Sequence, residues 1–273
     1  MPQFTANLTM LFTEMPFMER FAAARACGFD SVEYLFPYPY AKEDLAAALT
    51  VHGLRQALHN LPAGNWDAGE RGIACHPDRT EEFREGVAKA IQYAIALKCP
   101  QVNCLAGKLP SGVTQADAQA TLVANLRYAA AALKEVSIRL LIEPINTFDI
   151  PGFFVSRTDQ ALDIIDAVGS DNLFLQYDIY HAQRMEGELG ATLAKHLHRI
   201  GHIQLADNPG RNEPGTGEIN YAWLFKHIDA LGYQGTIGCE YKPRTTTTDG
   251  LGWMKTLAPS RARRERAAEL QPQ

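Results

Sequence analysis

Short runs of branched and aromatic residues recur along the chain and alternate with longer segments rich in alanine and leucine. A short apolar run bounded by turn residues is typical of a buried parallel strand, and the longer segments are typical of helices. The strand-like runs are residues 4–10, 31–36, 54–61, 101–105, 139–145, 173–177, 201–205 and 236–241. The helical segments are residues 16–27, 43–52, 81–97, 115–135, 159–168, 189–198 and 221–231. Several of them stop at a glycine such as Gly28, Gly53 or Gly232, the usual signal for a helix C-terminus.

Strict alternation of strands and helices, with eight strand-like runs, predicts a parallel sheet closed into a (β/α)8 TIM barrel of the α/β class. A doubly wound open sheet is the alternative, but it usually has fewer strands and a glycine-rich first turn. No Gly-x-Gly-x-x-Gly motif follows the first run. We therefore predict a single barrel domain over residues 1–258. Residues 259–273 carry four arginines among acids and alanines, and we predict a peripheral or flexible tail there.

Polar side chains stand at the ends of the last four strand-like runs. The fifth run reaches Glu143 and is closed by Pro144, which cannot continue the ladder, so Glu143 lies at the strand's C-terminal end. Asp178, Gln204 and Glu240 stand at the ends of the sixth, seventh and eighth runs. Because strand residues two apart share a face, we expect these four side chains to converge at the C-terminal mouth, where this fold builds its active sites.

Three carboxylates and one amide form a set of hard oxygen ligands without sulfur. Such a set suits Mg²⁺ or Mn²⁺ better than zinc or copper, and without a cation three acids so close together could not all ionise. A single acid in such a place is often a helix cap, a turn residue or half of a salt bridge. Four consecutive strands with the same ending favour a divalent metal site made of Glu143, Asp178, Gln204 and Glu240.

Other polar residues near strand ends are weaker candidates. His181 lies three residues beyond Asp178, at the predicted start of a βα loop, where it contacts either a substrate oxygen or only a local carbonyl. Further candidates for ligand contact or for support of the site are His59, Asn60, Lys108, Glu33 and Asn7. A long βα loop around Trp66 is expected to close over the site and exclude water.

Composition and charge narrow the function classes. The net charge of −5 and a pI near 5.9 argue against a nucleic acid or an anionic membrane as partner. Five cysteines without a Cys-x-x-Cys spacing suit reduced thiols better than disulfides or a zinc site. No window approaches the roughly 18 apolar residues that a membrane span requires. We expect a cytoplasmic protein.

Several motifs are familiar together. They are Glu143-Pro144-Ile145-Asn146, Asp178-Ile179-Tyr180-His181, the glycine- and proline-rich segment 201–221 around Arg211, and residues 238–243. Shorter ones are residues 60–64 and 69–72. With these motifs the sequence resembles the hydroxypyruvate isomerase family of xylose isomerase-like (β/α)8 barrels, from residue 4 to about residue 254.

The resemblance implies roles for individual residues. Glu143 and Glu240 would be the catalytic pair that transfers protons, and the four strand-end residues would hold Mg²⁺ or Mn²⁺. The implied reaction interconverts hydroxypyruvate and tartronate semialdehyde through an enediol, with Lys108 or Arg211 near the substrate carboxylate. Related sugar epimerases carry a histidine where Gln204 stands, and their acid six residues beyond the first metal glutamate corresponds to Asp149.

Alternative functions follow from the same pattern. The nearest are the same chemistry on a 2-oxo-tetronate and the 3-epimerisation of a ketose. A metal-dependent phosphodiesterase of the endonuclease IV type shares the barrel, but that chemistry wants two or three metals and a basic groove. A further alternative is a sugar-acid-binding protein that has lost catalysis. The presence of both glutamates argues against it. Barrels of this kind often form homo-oligomers, and the sequence leaves the oligomeric state open.

Overall fold

The structure is a computed structural model that describes residues 2–258. The predicted tail at residues 259–273 therefore lies outside the described residues. Eight strands are present in the described part, each close to a predicted run. They are β1 (Gln3–Asn7), β2 (Ser31–Glu33), β3 (Arg55–Asn60), β4 (Gln101–Cys104), β5 (Arg139–Ile142), β6 (Leu173–Asp178), β7 (Ile200–Leu205) and β8 (Thr236–Cys239).

Helices follow the strands in alternation. They are α1 (Arg20–Ala26), α2 (Lys42–His52), α3 (Thr80–Leu97), α4 (Gln115–Lys134), α5 (Thr158–Val168), α6 (Ile179–Met185), α7 (Leu189–His196), α8 (Tyr221–Ala230), α9 (Thr247–Gly250) and α10 (Trp253–Thr256). The left-handed conformation that ends α2 falls on Gly53, as its sequence position predicts. The short helices α6, α9 and α10 have no counterpart among the predicted segments.

The strands pair in sequence order, all parallel, and β1 pairs with β8 to close the barrel. The prediction of a (β/α)8 barrel is confirmed. Register shifts occur in β2 between Val32 and Glu33 and in β6 between Leu175 and Gln176. β5 ends at Ile142 because the next residues lead into a proline, which has no N–H to donate. Glu143 therefore comes one residue after the last paired position.

Two kinds of core fill the barrel. Apolar strand residues such as Val32, Leu140 and Ile237 are fully buried and belong to the hydrophobic layer between strands and helices. The interior carries many buried polar side chains, namely Thr5, Asn7, Ser31, Glu33, Gln56, Gln101, Asn103, Gln176, His202 and Gln204. TIM-barrel interiors are usually filled by branched apolar residues, so this interior is polar to an unusual degree.

No helix in the described range 2–258 is both long enough and apolar enough to cross a membrane. The five cysteines are free, and four of them are buried.

Candidate active site

The C-terminal mouth of the barrel holds a buried cluster of carboxylates. Glu143 follows β5, Asp178 ends β6 and Glu240 follows β8, with exposed fractions of 4%, 1% and 5%. One ligand atom from each of Glu143, Asp178 and His181 lies within 4.8 Å of the others. The guanidinium Nη2 of Arg211 lies 3.6 Å from Glu240 Oε1 and 3.9 Å from Asp178 Oδ2. The structure thus brings these five residues to one place.

Burial dominates the electrostatics of this cluster. Loss of hydration raises the pKa of Glu143 well above its ordinary value, and the charges of Glu240 and Asp178 raise it further. Burial also raises the pKa of Asp178, and it raises the pKa of Glu240 to about 8 although Arg211 opposes that shift. The three carboxyl groups compete for ionisation, and positive charge between them would relieve the competition.

Only one of the two carboxylate oxygens of Asp178 accepts hydrogen bonds from the described residues. Its Oδ1 accepts hydrogen bonds from the backbone N–H groups of Tyr180 at 2.7 Å and His181 at 3.4 Å. Its Oδ2 is buried and accepts no hydrogen bond from any described residue. A buried carboxylate oxygen without a donor is costly, and a divalent cation would compensate for that cost. The donor set at the mouth therefore fits a cation.

Gln204 lies beside the carboxylates on the neighbouring strand. It is paired in register with Asp178 across β6 and β7. Its Nε2 donates to Glu33 Oε1 at 2.8 Å, and its Oε1 accepts from Gln176 Nε2 at 2.6 Å. An amide oxygen has two lone pairs, so Oε1 keeps one that is available to another partner.

His181 lies in the first turn of a helix, which corrects the predicted loop. α6 starts directly after β6 because the Asp178 carboxylate caps its first backbone N–H groups. The sequence did not predict this helix because Asp178 also ends a strand, so helix and strand share one residue. The helix turns the His181 ring back toward Asp178, with Nε2 at 3.7 Å from Oδ2.

Hydrogen bonding defines the tautomer of His181. The Asn146 Oδ1 accepts from the backbone N–H groups of Phe148 at 3.1 Å and Asp149 at 2.8 Å, so its Nδ2 must face the other way. That Nδ2 lies 2.6 Å from His181 Nδ1, which therefore accepts. Burial, and then the charge of nearby arginines, lowers the pKa of His181 well below its ordinary value. The neutral ring carries its proton on Nε2, which makes it a hydrogen-bond donor and not a metal ligand.

Arg211 is held over the mouth by the loop between β7 and α8. Its guanidinium lies 5.2 Å from the centre of the Tyr180 ring, and its Nη1 lies 3.9 Å from Asp149 Oδ2. Burial alone would lower the pKa of Arg211, but the charges of Glu240, Asp178 and other carboxylates raise it above its ordinary value. The arginine is therefore a permanent positive charge inside an acidic site.

Asp207 organises that loop, and the sequence analysis did not single it out. Its Oδ1 accepts from the backbone N–H groups of Asn208 at 3.0 Å and Ile219 at 3.1 Å. Its Oδ2 accepts from those of Gly215 at 2.8 Å and Gly217 at 3.0 Å. The side chain is buried, and the four bonds close residues 207–219 into a compact loop. The acid directly before Asn-Pro-Gly was the only sequence signal for this role.

One of the residues predicted to bind substrate lies elsewhere. The structure corrects the prediction for His59, because its ring is turned to the helix layer and contacts Tyr38, which itself packs against Tyr93 of α3. Its strand neighbour Asn60 takes the inward position, in register with Asn103. Lys108 follows β4, and its Nζ donates to the Gly69 carbonyl at 3.1 Å.

The loop between β3 and α3 carries Trp66. Its ring contacts Phe36 with centroids 5.0 Å apart, and the Arg71 guanidinium lies 4.0 Å from the ring centre. The loop is therefore anchored to the loop after β2 and, through Gly69, to Lys108.

A cavity of about 640 Å³ opens at the opposite, N-terminal end of the barrel. It is lined by residues that include Gln3, Arg55, Gln101, Arg139 and Thr236, the first residues of five strands. The carboxylate cluster is absent from its lining, so we assign the chemistry to the mouth and not to this cavity.

Comparison with known proteins agrees with this geometry. The sequence profile of the family described as xylose isomerase-like TIM barrel matches residues 21–257. The chain belongs to this family. It is 59% identical to the hydroxypyruvate isomerase of Escherichia coli K12 over 254 residues. This alignment covers 93% of this chain and 98% of the relative. It is 47% identical to the 2-oxo-tetronate isomerase of Cupriavidus necator, again over 93% of this chain and 98% of that one.

A solved structure shows the same fold. The crystal structure titled "AP endonuclease, family 2" from Brucella melitensis superposes with a TM-score of 0.91, 41% identity and coverage of 94% of this chain and 99% of that one. The two isomerases that this chain resembles at 59% and 47% identity confirm the prediction that it is an enzyme and an isomerase.

Proposed function

We propose that the protein interconverts hydroxypyruvate and tartronate semialdehyde by moving a proton between adjacent carbons through an enediol. One observation carries the proposal: Glu143 and Glu240 reach the same buried site from β5 and β8, near enough that the charge of Glu240 raises the pKa of Glu143. The hydroxypyruvate isomerase relative at 59% identity supports the choice of substrate.

The two glutamates supply the acid and the base. Proton transfer along the carbon chain needs a base beside one carbon and an acid beside the next, and each contributes about 10²–10⁴-fold. Burial raises the pKa of both carboxyl groups, which brings them closer to neutral pH, where a carboxyl group can both take up and release a proton. Glu143 and Glu240 are therefore matched to the two roles at neutral pH.

Glu143, Asp178, Gln204 and Glu240 would hold a divalent cation, which we infer to be Mg²⁺ or Mn²⁺ because every donor is an oxygen. When bound, the ion supplies Lewis-acid stabilisation of the negative charge that develops on the substrate oxygens. The buried Oδ2 of Asp178, which accepts no hydrogen bond from any described residue, supports this assignment.

Arg211 and His181 would orient a small hydroxy-carbonyl acid. The Arg211 guanidinium suits a substrate carboxylate because it can donate two parallel hydrogen bonds. His181 Nε2–H faces the site and would donate to a hydroxyl or carbonyl oxygen. Lys108 is the second candidate for the carboxylate, although its Nζ already donates to Gly69. His59 takes no part, since its ring lies on the outer face of β3.

Solvent exchange tests the proton-transferring pair. Glu240→Gln should greatly reduce incorporation of deuterium from D₂O into substrate, and Glu143→Gln should reduce it as well. Tyr38→Phe, a change on the helix side of β3, is the control and should exchange normally. Undiminished exchange in Glu240→Gln would remove that residue from the mechanism.

The second candidate is the same isomerisation on a 2-oxo-tetronate, which the relatives of that name at 39–47% identity support. Side-by-side kcat/KM values for hydroxypyruvate and a 2-oxo-tetronate decide between them. A ketose and an abasic-site DNA belong in the same panel, and turnover of either one alone would refute the proposal.

We also infer a cytoplasmic location, supported by five free cysteines, because oxidising compartments favour disulfides.

A further inference from the structure

Glu33 is a buried carboxylate in the barrel interior, below the carboxylate cluster. It ends β2 and is 1% exposed. Its Oε1 accepts from Asn7 Nδ2 at 3.0 Å and Gln204 Nε2 at 2.8 Å, and its Oε2 pairs with His202 Nε2 at 2.7 Å. Because β2 and β7 are not neighbours in the sheet, the contacts with Gln204 and His202 cross the interior.

An ionised carboxylate can only accept hydrogen bonds, so it decides which end of an amide faces it. Gln204 must present its NH₂ group to Glu33, and its oxygen is turned away from Glu33. The opposite orientation of the Gln204 amide would place its oxygen against a carboxylate oxygen, which is unfavourable. That oxygen accepts from Gln176 Nε2 at 2.6 Å and keeps a second lone pair for another partner. Gln204 itself is paired in register with Asp178, a proposed ligand of the cation.

Gly238 makes room for this carboxylate. A Cβ at that position would lie 2.6 Å from Glu33 Cδ, closer than real Cβ contacts come. Gly238 is also the register partner of Gln204 across β7 and β8. The glycine, the carboxylate and the amide therefore occupy one level of the barrel, and a side chain at Gly238 would displace Glu33.

We propose that Glu33 is a positioning residue that engages the NH₂ group of Gln204, so that the amide oxygen and not the NH₂ group is available to the cation. Asn7 and His202 hold Glu33 in place by donating to it. The inference rests on the proposed function in one respect, that Gln204 is a ligand. Partners of this kind typically change metal affinity by about 10–100-fold when they are removed.

Calorimetric titration of the metal-free protein with Mn²⁺ tests the proposal without reference to activity. Glu33→Gln should weaken Mn²⁺ binding by at least about tenfold. An amide at residue 33 can both donate and accept, so either the NH₂ group or the oxygen of Gln204 could face it. Gly238→Ala should weaken it similarly with no change in charge. Ser31→Ala is the matched control: its hydroxyl pairs with Thr5 at 2.6 Å on the same face of β2, and its loss should leave Mn²⁺ affinity unchanged.

A reciprocal exchange separates positioning from a general structural role. In Glu33→Gln/Gln204→Glu the amide of residue 33 would donate to a carboxylate at residue 204, so the pair is restored with the same net charge. The double variant should recover most of the Mn²⁺ affinity that Glu33→Gln loses, at an unchanged melting temperature relative to that single variant. Failure to recover would overturn the positioning role.

Gln204→Ala separates the role of Gln204 as a ligand from the role of Glu33 in positioning it. If Gln204→Ala weakens Mn²⁺ binding while Glu33→Gln and Gly238→Ala do not, the positioning role is refuted and the ligand set stands. If Gln204→Ala itself leaves the affinity unchanged, Gln204 is no ligand, and both the ligand set and the inference built on it are overturned.

Discussion

Replacement of Asp207 by asparagine tests whether the loop between β7 and α8 carries Arg211 into the site. The Asp207 carboxylate accepts hydrogen bonds from four backbone N–H groups of the loop, those of Asn208, Gly215, Gly217 and Ile219. An amide keeps one acceptor oxygen, and its NH₂ group must then face two N–H donors. Two charge-assisted hydrogen bonds are lost whichever way the new side chain turns.

The size of the effect follows from those two bonds. Each hydrogen bond to a charged group contributes about 1.5–3 kcal/mol, so the closed loop should lose about 3–6 kcal/mol relative to its open form. The loss should stay local, because a surface loop can open while the barrel remains folded. If misplacement of Arg211 costs about 3 kcal/mol of transition-state stabilisation, kcat/KM should fall by roughly 100-fold.

Hydrogen exchange and kinetics measure the two consequences separately. In Asp207→Asn the amides of Gly215, Gly217 and Ile219 should exchange faster, while those of the strands keep their protection. Glu218→Gln is the control, since this acid lies on the same loop but accepts from the side chains of Gln183 and Asn208. Wild-type exchange at the three amides together with wild-type kcat/KM would show that something other than Asp207 holds the loop.

Three further predictions follow from the site and its surroundings. Dialysis against EDTA should abolish turnover and Mg²⁺ or Mn²⁺ should restore it; full activity in protein shown to be metal-free by elemental analysis would contradict the ligand set. Arg211→Lys keeps the charge but loses the planar fork, so we expect KM to rise by roughly tenfold with a smaller change in kcat, and an unchanged KM would exclude the arginine from substrate binding. Burial lowers the pKa of His59 to about 4 from an ordinary value of 6.5, so protonation of the unfolded chain should reduce stability as pH falls from about 6.5 to 4. The free energy of unfolding of His59→Leu should lose that part of the acid sensitivity, up to about 3 kcal/mol, and identical pH profiles of the two proteins would refute the assignment.

The barrel could be predicted from the sequence because eight short strand-like runs alternate with seven helical segments. The convergence of strand ends could be predicted too, since the chain direction of parallel strands places every C-terminus at one mouth. The inward or outward direction of the His59 side chain could not be predicted in this way. A side chain alternates with its neighbours along a strand, so only one of His59 and Asn60 can face inward, and the register of β3 against β4 selects Asn60.

The helix after Asp178 and the closed loop at Asp207 could not be read in the same way. Both depend on a carboxylate that turns back onto backbone N–H groups, and an acid in sequence does not reveal which donors will surround it. Asp178 has two uses at once, since one oxygen caps α6 and the other faces the site. Such double use is invisible to a pattern that assigns each residue to a single element.

The polar interior has a physical reason in the chemistry above it. A site built of acceptor-only carboxylates needs donors beneath it, and those donors need partners of their own. Asn103 donates to Glu143 Oε2 at 2.9 Å, and Gln204 is oriented by Glu33, which is held in turn by Asn7 and His202. Apolar side chains at these interior positions would favour burial but leave the strand-end oxygens free to rotate. Interior polar residues beneath the mouth thus orient the oxygens of the site. Substitutions of these residues should weaken metal binding at a smaller cost to the stability of the fold.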